Sequence, residues 1–234
     1  MPKKASQYNS QSEFTKSSLI SGFKYPKAAL SRPLRGSYEY LPIPETHLHD
    51  KVITIDKFLD FKACQCLVTT FEGSGLMGKF HTKGTKDYAK RSNKRFSCHD
   101  QEFAQLLWVK LSDCLLQEPH IANELGFNKA QGLNPQLRVY CYDKDDHFDK
   151  HYDDSVQVHN VGTTQWTLLI YLTGGDPLSG GNTIFYDEFT KAPTGFHPTQ
   201  GLALLHKHGN DCLLHEAQRV IKGQKWVLRS DVIF

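Results

Sequence analysis

The sequence predicts an α+β protein in which two helices precede a set of short strands that form a sandwich or barrel. Apolar side chains at helical spacing occur before residue 117, and short β-rich segments separated by turn residues follow from Pro135 onward. The 234 residues suit one sizeable domain. A composition of 39% hydrophobic and 23% charged residues is typical of a folded protein and excludes a collagen-like or wholly disordered chain.

The first helix is predicted over residues 56–72, where Phe58, Phe61, Cys64, Leu67 and Val68 fall at intervals of three, three, three and one, which suits one apolar face. The second is predicted over residues 100–116, with Asp100 as the N-cap. Between them, residues 79–98 are predicted to be a basic loop, because positions 83–95 carry six Lys and Arg side chains. This loop is either solvated or a lid that recognises an acidic or phosphate-bearing substrate.

The second half of the chain is predicted to be built from strands. Five segments combine β-branched or aromatic residues with flanking Gly, Asp or Asn turns. They cover residues 137–142, 165–172, 182–187, 201–207 and 225–234. Helices followed by closely spaced strands indicate an α+β architecture rather than alternating βα units.

Residues 1–47 are predicted to be a flexible basic segment, separate from a catalytic domain at residues 48–234. Seven Lys and Arg oppose three Glu in this segment, a balance of +4, whereas the whole chain carries +3. The start of the chain has no apolar core of a secretory signal, and no apolar run is long enough for a membrane span. We therefore expect a cytoplasmic or nuclear protein with no membrane partner.

The cysteines and histidines give different signals. The six cysteines are dispersed and form no CxxC pair, which favours reduced thiols and argues against structural zinc. The twelve histidines are concentrated in the second half of the chain and include two HxD triplets, His147-Phe148-Asp149 and His151-Tyr152-Asp153. In a strand, residues i and i+2 point to one face, so a His and an Asp at this spacing can bind one metal ion.

His215 supplies the context that a lone HxD triplet lacks. A second His on a neighbouring strand would complete a two-His, one-carboxylate face, which leaves positions open for a chelating co-substrate and dioxygen on iron. Lys225 follows His215 by ten residues. A buried ammonium at that place would be paired by the distal carboxylate of a bound dicarboxylate. Arg229, on the same strand face, either shares this role or pairs with Asp231 or another acid.

The ordered motifs resemble those of the iron(II)- and 2-oxoglutarate-dependent dioxygenases, specifically the prolyl 4-hydroxylase α-subunit-like branch. The elements that carry the resemblance are a Tyr nine residues before the first ligand, an HxD triplet, a GGxT-aromatic strand, and a distal His followed by Lys ten residues later. In this chain they are Tyr142, His151-Tyr152-Asp153, residues 180–185, His215 and Lys225. The resemblance is strong over residues 135–234 and looser back to residue 93.

The resemblance implies a double-stranded β-helix, the jelly roll of cupin-like proteins, with supporting N-terminal helices and a catalytic core at about residues 135–234. It implies Fe(II) bound by His151, Asp153 and His215. It implies 2-oxoglutarate bound by Lys225, with help from the hydroxyl of Tyr142 and, as an open alternative, from Arg229. The cofactors it implies are Fe(II), 2-oxoglutarate, O2 and ascorbate.

Spacing from Tyr142 selects His151 rather than His147 as the first ligand, and places Phe148 at the family's aromatic position. His147 and Asp149 are then expected further out on the same strand face, as polar residues at the pocket entrance. His206 and His208 are interpreted as structural histidines. Two departures from the family pattern, Asn182 in the GGxT segment and Ala217 after His215-Glu216, touch no ligand.

The expected activity is hydroxylation of a substrate C–H bond, with 2-oxoglutarate converted to succinate and CO2. A prolyl or other protein side chain is the leading substrate, so a protein or peptide partner is expected. Oxidative demethylation of a nucleic acid or a small molecule is less favoured, since only Tyr88 and Phe96 accompany the basic residues of the predicted loop. A catalytically silent jelly-roll binding module is the alternative of a different class. The sequence leaves the oligomeric state open.

Overall fold

The computed structural model describes residues 23–30, 41–189 and 192–234. Most of the predicted N-terminal segment lies outside these residues. Of its described part, Tyr25 is buried in the main hydrophobic core and a strand covers Pro44–His47. The boundary at residue 47/48 stays a prediction, but these two pieces pack as parts of the fold.

Two α-helices lie on one side of the structure. Helix α1 covers Phe61–Gly73 and helix α2 covers Gln101–Leu115. The Asp60 side chain accepts a hydrogen bond from the Ala63 amide, so α1 begins five residues later than the sequence pattern predicts. The predicted cap of α2 is confirmed, because Asp100 accepts a hydrogen bond from the Phe103 amide at 3.0 Å. Short 3-10 turns cover Lys27–Leu30, Phe127–Lys129 and Gly209–Asp211, and a π turn covers His120–Glu124.

The strands occupy most of the remaining described chain. In chain order they are β1 Pro44–His47, β2 Val52–Ile55, β3 Gly78–Thr82, β4 Arg91–His99, β5 Gly132–Leu133, β6 Gln136–Tyr142, β7 His147–His151, β8 Gln157–Val158, β9 Gly162–Tyr171, β10 Ser179–Gly180, β11 Thr183–Tyr186, β12 Pro193–Phe196, β13 Ala203–Lys207, β14 Leu214–Ala217, β15 Val220–Lys222 and β16 Lys225–Ile233. All five predicted strands are present, as β6, β9, β11, β13 and β16.

The strands form a curled antiparallel sheet, which confirms the predicted jelly roll. The main path is β1-β2-β13-β9-β16-β6-β4-β7-β14-β11-β12, so strands from the beginning and the end of the chain lie side by side. Strands β3, β5 and β8 pair with β4, β16 and β9, and β10 and β15 form a separate two-stranded sheet. The β13-β9-β16-β6 part carries α1 and α2 on its outer face, and the aromatic core lies between these layers. The inner face of the same strands meets β7, β14 and β11 across a cavity.

The predicted basic loop at residues 79–98 is wrong for most of its length. Residues 78–82 and 91–99 are β3 and β4, which pair with each other, and β4 also pairs with β6 and β7. The sequence does not indicate this strand, because the first half of β4 contains only polar residues and so lacks the alternation of apolar and polar side chains that is typical of a strand. Arg91, Asn93 and Ser97 are buried, whereas Ser92 and Lys94 are only partly so.

Candidate active site

The inner cavity is lined by side chains from both parts of the curled sheet. It encloses about 450 Å³ of empty space, including its open mouth. His151, Asp153, His215, Lys225, Tyr142 and Arg229 all line it, so the structure brings every sequence-predicted site residue to one place.

Three of these residues group their donor atoms around one point. Donor atoms of His151, Asp153 and His215 lie within 4.8 Å of one another, and all three residues are buried. The Nε2 atoms of His151 and His215 each lie 3.9 Å from a carboxylate oxygen of Asp153. Donors bound to one transition-metal ion at about 2.0–2.2 Å are separated by similar distances, so the group fits a metal ion.

Backbone carbonyls set the orientation of both imidazoles. The Nδ1 atom of His151 lies 2.7 Å from the Asp149 carbonyl oxygen, and that of His215 lies 2.9 Å from the Leu213 carbonyl oxygen. Because a carbonyl only accepts, we assign the ring proton to Nδ1 in each case, which leaves the Nε2 lone pairs facing Asp153. This is the arrangement by which protein groups outside the ligand set fix metal-binding histidines.

The protonation states of the group suit a cation. Burial, reinforced by the neighbouring His215, lowers the pKa of His151 well below its usual value, and burial also lowers the pKa of His215. Burial by itself would raise the pKa of Asp153, but Arg229 and the nearby imidazoles outweigh it and hold this pKa well below its ordinary range. The group therefore offers neutral imidazoles and a carboxylate, the forms that bind metal ions.

A bulge in β7 separates the two HxD triplets. His215 pairs with His151 and Ala217 pairs with Phe148, so three residue steps on β7 oppose two on β14. Phe148 and His151 therefore both face the cavity, and their rings stack with centroids 3.6 Å apart. The expected position of His147 and Asp149 on the ligand face is thus wrong. They pair with each other at 3.6 Å on the opposite face, where Asp149 is exposed.

Lys225 is buried near the glycine pair of the GGxT segment. Its Nζ donates to the Gly181 carbonyl at 2.6 Å and to Thr183 Oγ1 at 3.4 Å. Gly181 has φ +70°, and a Cβ there would lie 3.4 Å from the Lys225 side chain, so glycine suits both the turn and the lysine. Burial lowers the pKa of Lys225 to about 7. Among the described residues no carboxylate pairs with this ammonium, which fits a site for the carboxylate of a ligand.

Arg229 already has acidic partners. Its Nη2 lies 3.0 Å from Asp153 Oδ2 and 3.2 Å from Asp231 Oδ1. Thr167 Oγ1 also donates to Asp153 Oδ2, at 3.1 Å. Of the two alternatives that the sequence leaves open for Arg229, these contacts favour pairing with acids. Its guanidinium and the Thr167 hydroxyl orient Asp153.

Two cavity residues were missed by sequence reasoning. His206, interpreted as structural, lines the cavity with its Nε2 3.7 Å from Asp153 Oδ2, and it forms a second group of potential donors with Cys212 and His215. Burial raises the pKa of Cys212 to about 12, so its thiol stays protonated and is a weaker donor than the Asp153 carboxylate. His208 is structural as predicted, since both ring nitrogens lie 3.0 Å from threonine hydroxyls.

The other missed residue is Arg91, which was assigned to the basic loop. It begins β4, and its side chain lines the cavity beside Tyr140, Tyr142 and Phe148. Burial alternates at this place, since Arg91 and Asn93 are buried whereas Ser92 and Lys94 are partly exposed. The sequence does not indicate this alternation, because residues 91–95 are all polar.

A jelly roll whose inner cavity holds a two-His, one-Asp group defines the class of protein. Comparison with known proteins gives the family. Residues 136–230 match the sequence model of the 2OG-Fe(II) oxygenase superfamily. The part of the chain that contains the cavity is therefore similar to this superfamily, which supports an oxidoreductase of the dioxygenase class. A search of the curated proteins found no significant match.

Solved structures with a similar fold include three prolyl hydroxylases. A viral collagen prolyl hydroxylase from Paramecium bursaria chlorella virus-1, in complex with 2OG, has a TM-score of 0.54 and 18% identity, with 78% of this chain and 95% of that chain covered. A Pseudomonas putida prolyl-4-hydroxylase has a TM-score of 0.57 and 13% identity, with 78% and 92% covered.

The third is a prolyl hydroxylase from Trichoplax adhaerens, in complex with a peptide fragment of the hypoxia inducible factor oxygen degradation domain. Its TM-score is 0.56 and its identity 17%, with 78% of this chain and 83% of that chain covered. At these identities the likeness concerns the fold. Within the described residues, no helix is long and apolar enough to cross a membrane.

Proposed function

We propose that this protein is an Fe(II)- and 2-oxoglutarate-dependent dioxygenase that hydroxylates a C–H bond of a protein or peptide, with a prolyl side chain as the leading substrate. The observation that carries the proposal is the pairing of a buried two-His, one-Asp group with a buried lysine that lacks an acidic partner. When bound, Fe(II) and 2-oxoglutarate supply the oxidative chemistry, with succinate and CO2 as co-products.

The residues of the chain have distinct parts in this proposal. His151, Asp153 and His215 hold the ion on one side, and Arg229 with Thr167 orients the Asp153 carboxylate. The Lys225 ammonium binds the distal carboxylate of 2-oxoglutarate. Tyr142 is placed to assist it, since the Lys225 Nζ lies 5.6 Å from the centre of the Tyr142 ring. The buried surroundings of these groups exclude water from the reacting centre.

The reaction class is tested by optical spectroscopy without oxygen. Wild-type protein given Fe(II) and 2-oxoglutarate should develop the weak visible band that arises when the keto acid chelates the metal. Asp153→Ala should abolish this band and, in air, should lower succinate formation by about a thousandfold, because a ligand and its charge are lost. A wild-type protein that binds 2-oxoglutarate without the band would contradict the proposal.

The prolyl substrate is supported by the fold neighbours, which are named as prolyl hydroxylases, one of them in complex with a peptide fragment. The test is to trap partner proteins with Asp153→Ala, then incubate them with wild-type protein and 2-oxoglutarate. Mass spectrometry should find the mass of one oxygen atom added at a proline. Addition at another residue type would remove the prolyl assignment and leave the reaction class intact.

We also propose a cytoplasmic or nuclear location and a requirement for ascorbate to keep the iron reduced. All six cysteines are free in the structure, which supports a reducing compartment. Omission of ascorbate should reduce the number of turnovers before activity is lost. This number is measured as moles of succinate released per mole of protein.

A further inference from the structure

Arg91 carries a positive charge into the cavity without an acidic partner. The residue is 8% exposed and lines the cavity wall. Its Nε donates to Asn93 Oδ1 at 3.0 Å, and its Nη2 donates to the Tyr142 hydroxyl at 3.4 Å. The guanidinium also lies over two rings, 4.3 Å from the centre of Tyr140 and 4.5 Å from that of Phe148. Asn93, Tyr142 and Phe148 are neutral, and the Tyr140 hydroxyl is mostly protonated at pH 7, although Arg91 and the other nearby arginines lower its pKa to about 8.

Burial of a guanidinium among neutral groups is energetically unfavourable. Transfer of an isolated charge from water to a buried site is strongly unfavourable unless an opposite charge compensates it. Arg229 lines the same cavity and meets this need with Asp153 and Asp231. Arg91 forms no ion pair with any carboxylate in the part of the chain that the structure describes.

The charges around the cavity leave one cation without a counter-ion. Its lining includes three cationic side chains, Arg91, Lys225 and Arg229, against two carboxylates, Asp153 and Glu216. In the proposed function Lys225 pairs with the distal carboxylate of 2-oxoglutarate, and Arg229 pairs with Asp153 and Asp231. Glu216 accepts a hydrogen bond from the Tyr186 hydroxyl, so Arg91 is the cavity cation that has no carboxylate partner among the described residues.

The position of Arg91 places it toward the reacting centre. The Phe148 ring lies between them, because one face contacts the Arg91 guanidinium and the ring stacks on His151 at 3.6 Å. A group bound by Arg91 would therefore be separated from His151, a proposed metal ligand, by about the thickness of the Phe148 ring. That separation suits the substrate, which must place a C–H bond near the metal.

We propose that Arg91 binds a carboxylate of the substrate, and that the preferred substrate is therefore anionic next to the hydroxylated carbon. The planar guanidinium matches a carboxylate with two parallel hydrogen bonds. The carboxylate comes either from the main chain of a free amino acid or from an acidic side chain of a peptide. This inference rests on the proposed function, since it takes the metal and Lys225 to be used by the co-substrate.

The test compares probes that differ in a carboxylate. One pair is L-proline and L-prolinamide, and the other is N-acetyl-aspartyl-prolinamide and N-acetyl-asparaginyl-prolinamide. Binding is measured by titration calorimetry on protein loaded with 2-oxoglutarate and Zn²⁺, which has no redox chemistry. In one of the two pairs, whichever matches the substrate, wild-type protein should bind the carboxylate probe at least about tenfold more tightly than the amide probe, as expected for a charge-assisted hydrogen bond.

Variants of Arg91 connect this preference to the side chain. Arg91→Met should remove the preference, and Arg91→Lys, which keeps the charge but not the two parallel donors, should retain part of it. Lys94→Met is the matched control, because Lys94 lies on the same strand but pairs with Asp143 outside the cavity lining. It should leave the preference unchanged. A response in the first probe pair identifies a free amino acid, and one in the second identifies an acidic peptide.

Three outcomes would overturn the inference. The first is that wild-type protein shows no preference for the carboxylate probes, and the second is that Arg91→Met keeps this preference. The third is that Arg91→Met, with no probe present, loses about tenfold or more of its affinity for 2-oxoglutarate. The last would assign Arg91 to the co-substrate. The visible band of the Fe(II)–2-oxoglutarate complex separates these failures from failure of the proposed function, because the band should persist in Arg91→Met.

Discussion

The two faces of the same four strands, β6, β9, β13 and β16, bury opposite kinds of chemistry. On β16, Trp226, Leu228 and Val232 point toward the helices and join the main hydrophobic core. The alternate residues Lys225 and Arg229 point into the cavity. Both faces are buried and both carry apolar side chains, such as Val227 on the cavity face, but only the cavity face also buries charged groups. The helix-facing side stabilises the fold, and the cavity side places costly polar groups where a ligand can use them.

Leu228→Ala tests the stabilising face and should have the largest effect on stability among the changes considered below. Leu228 is 1% exposed, and its strand neighbours in register are Val139 and Ile170, both buried. Truncation should lower the free energy of unfolding by about 3 kcal/mol, from lost burial and the cavity left behind. Urea denaturation measures this. A loss below about 1 kcal/mol would show that the helix-facing core is not the main source of stability.

Lys225→Met tests the opposite face of the same strand and should raise the free energy of unfolding, whereas Leu228→Ala should lower it. Without ligand, the buried ammonium has no acidic partner among the described residues, so an apolar side chain of similar length should raise the free energy of unfolding by about 1–3 kcal/mol at pH 7. The same change should weaken 2-oxoglutarate binding at least about tenfold, because the carboxylate then loses its cation. Denaturation and titration calorimetry measure the two effects.

The gain from Lys225→Met should depend on pH. The pKa of Lys225 is lowered to about 7 in the folded protein, against 10.5 for the ordinary side chain. Between these values the unfolded chain binds the extra proton, so the wild-type protein loses stability as pH falls from 10.5 to 7, and the loss is complete below that. The difference between variant and wild type should therefore be largest at and below about pH 7 and should vanish above about pH 10.5. A difference independent of pH would contradict the unpaired ammonium.

The sequence predicted the two faces unequally well. The four strands that carry the helices, β6, β9, β13 and β16, were all recognised, because Leu, Ile, Val and Trp at strand spacing carry a clear signal. Strand β2 was not predicted, although its Ile53 and Ile55 join the same core. The metal group and Lys225 were found by the order and spacing of motifs rather than by periodicity. Strand β4 was missed, because Arg91 and Asn93 are buried by the cavity and such burial depends on tertiary contacts that composition does not reveal.

The β7 bulge was also beyond the sequence. Regular alternation would place His147, Asp149 and His151 on one face, and it was the extra residue opposite β14 that turned His147 and Asp149 away. Nothing in the residues 147–151 signals this bulge, since no glycine marks it. The choice of His151 over His147 came from its distance to Tyr142, which the bulge does not alter.

His206→Phe separates the two groups of donors on the cavity face and should have a smaller effect. The change keeps an aromatic ring in contact with Phe185, whose centre lies 5.4 Å from that of His206. Because Asp153 is held by Arg229 and Thr167, Co²⁺ affinity should fall by less than about tenfold. His151→Ala is the comparison and should lose most of its affinity. If His206→Phe lost as much, the ion would lie among His206, Cys212 and His215 instead.

His147→Ala should have the smallest effect, and it tests the bulge directly. His147 does not line the cavity, and among the described residues its ring pairs with the Asp145 carbonyl and with Asp149. Its side chain is 14% exposed, so its removal should lower the free energy of unfolding by about 1 kcal/mol and leave succinate formation unchanged. His151→Ala, four residues along the same strand, should abolish succinate formation. The reverse result would mean that β7 pairs with β14 without a bulge, because a regular register is what would bring the first HxD triplet into the cavity.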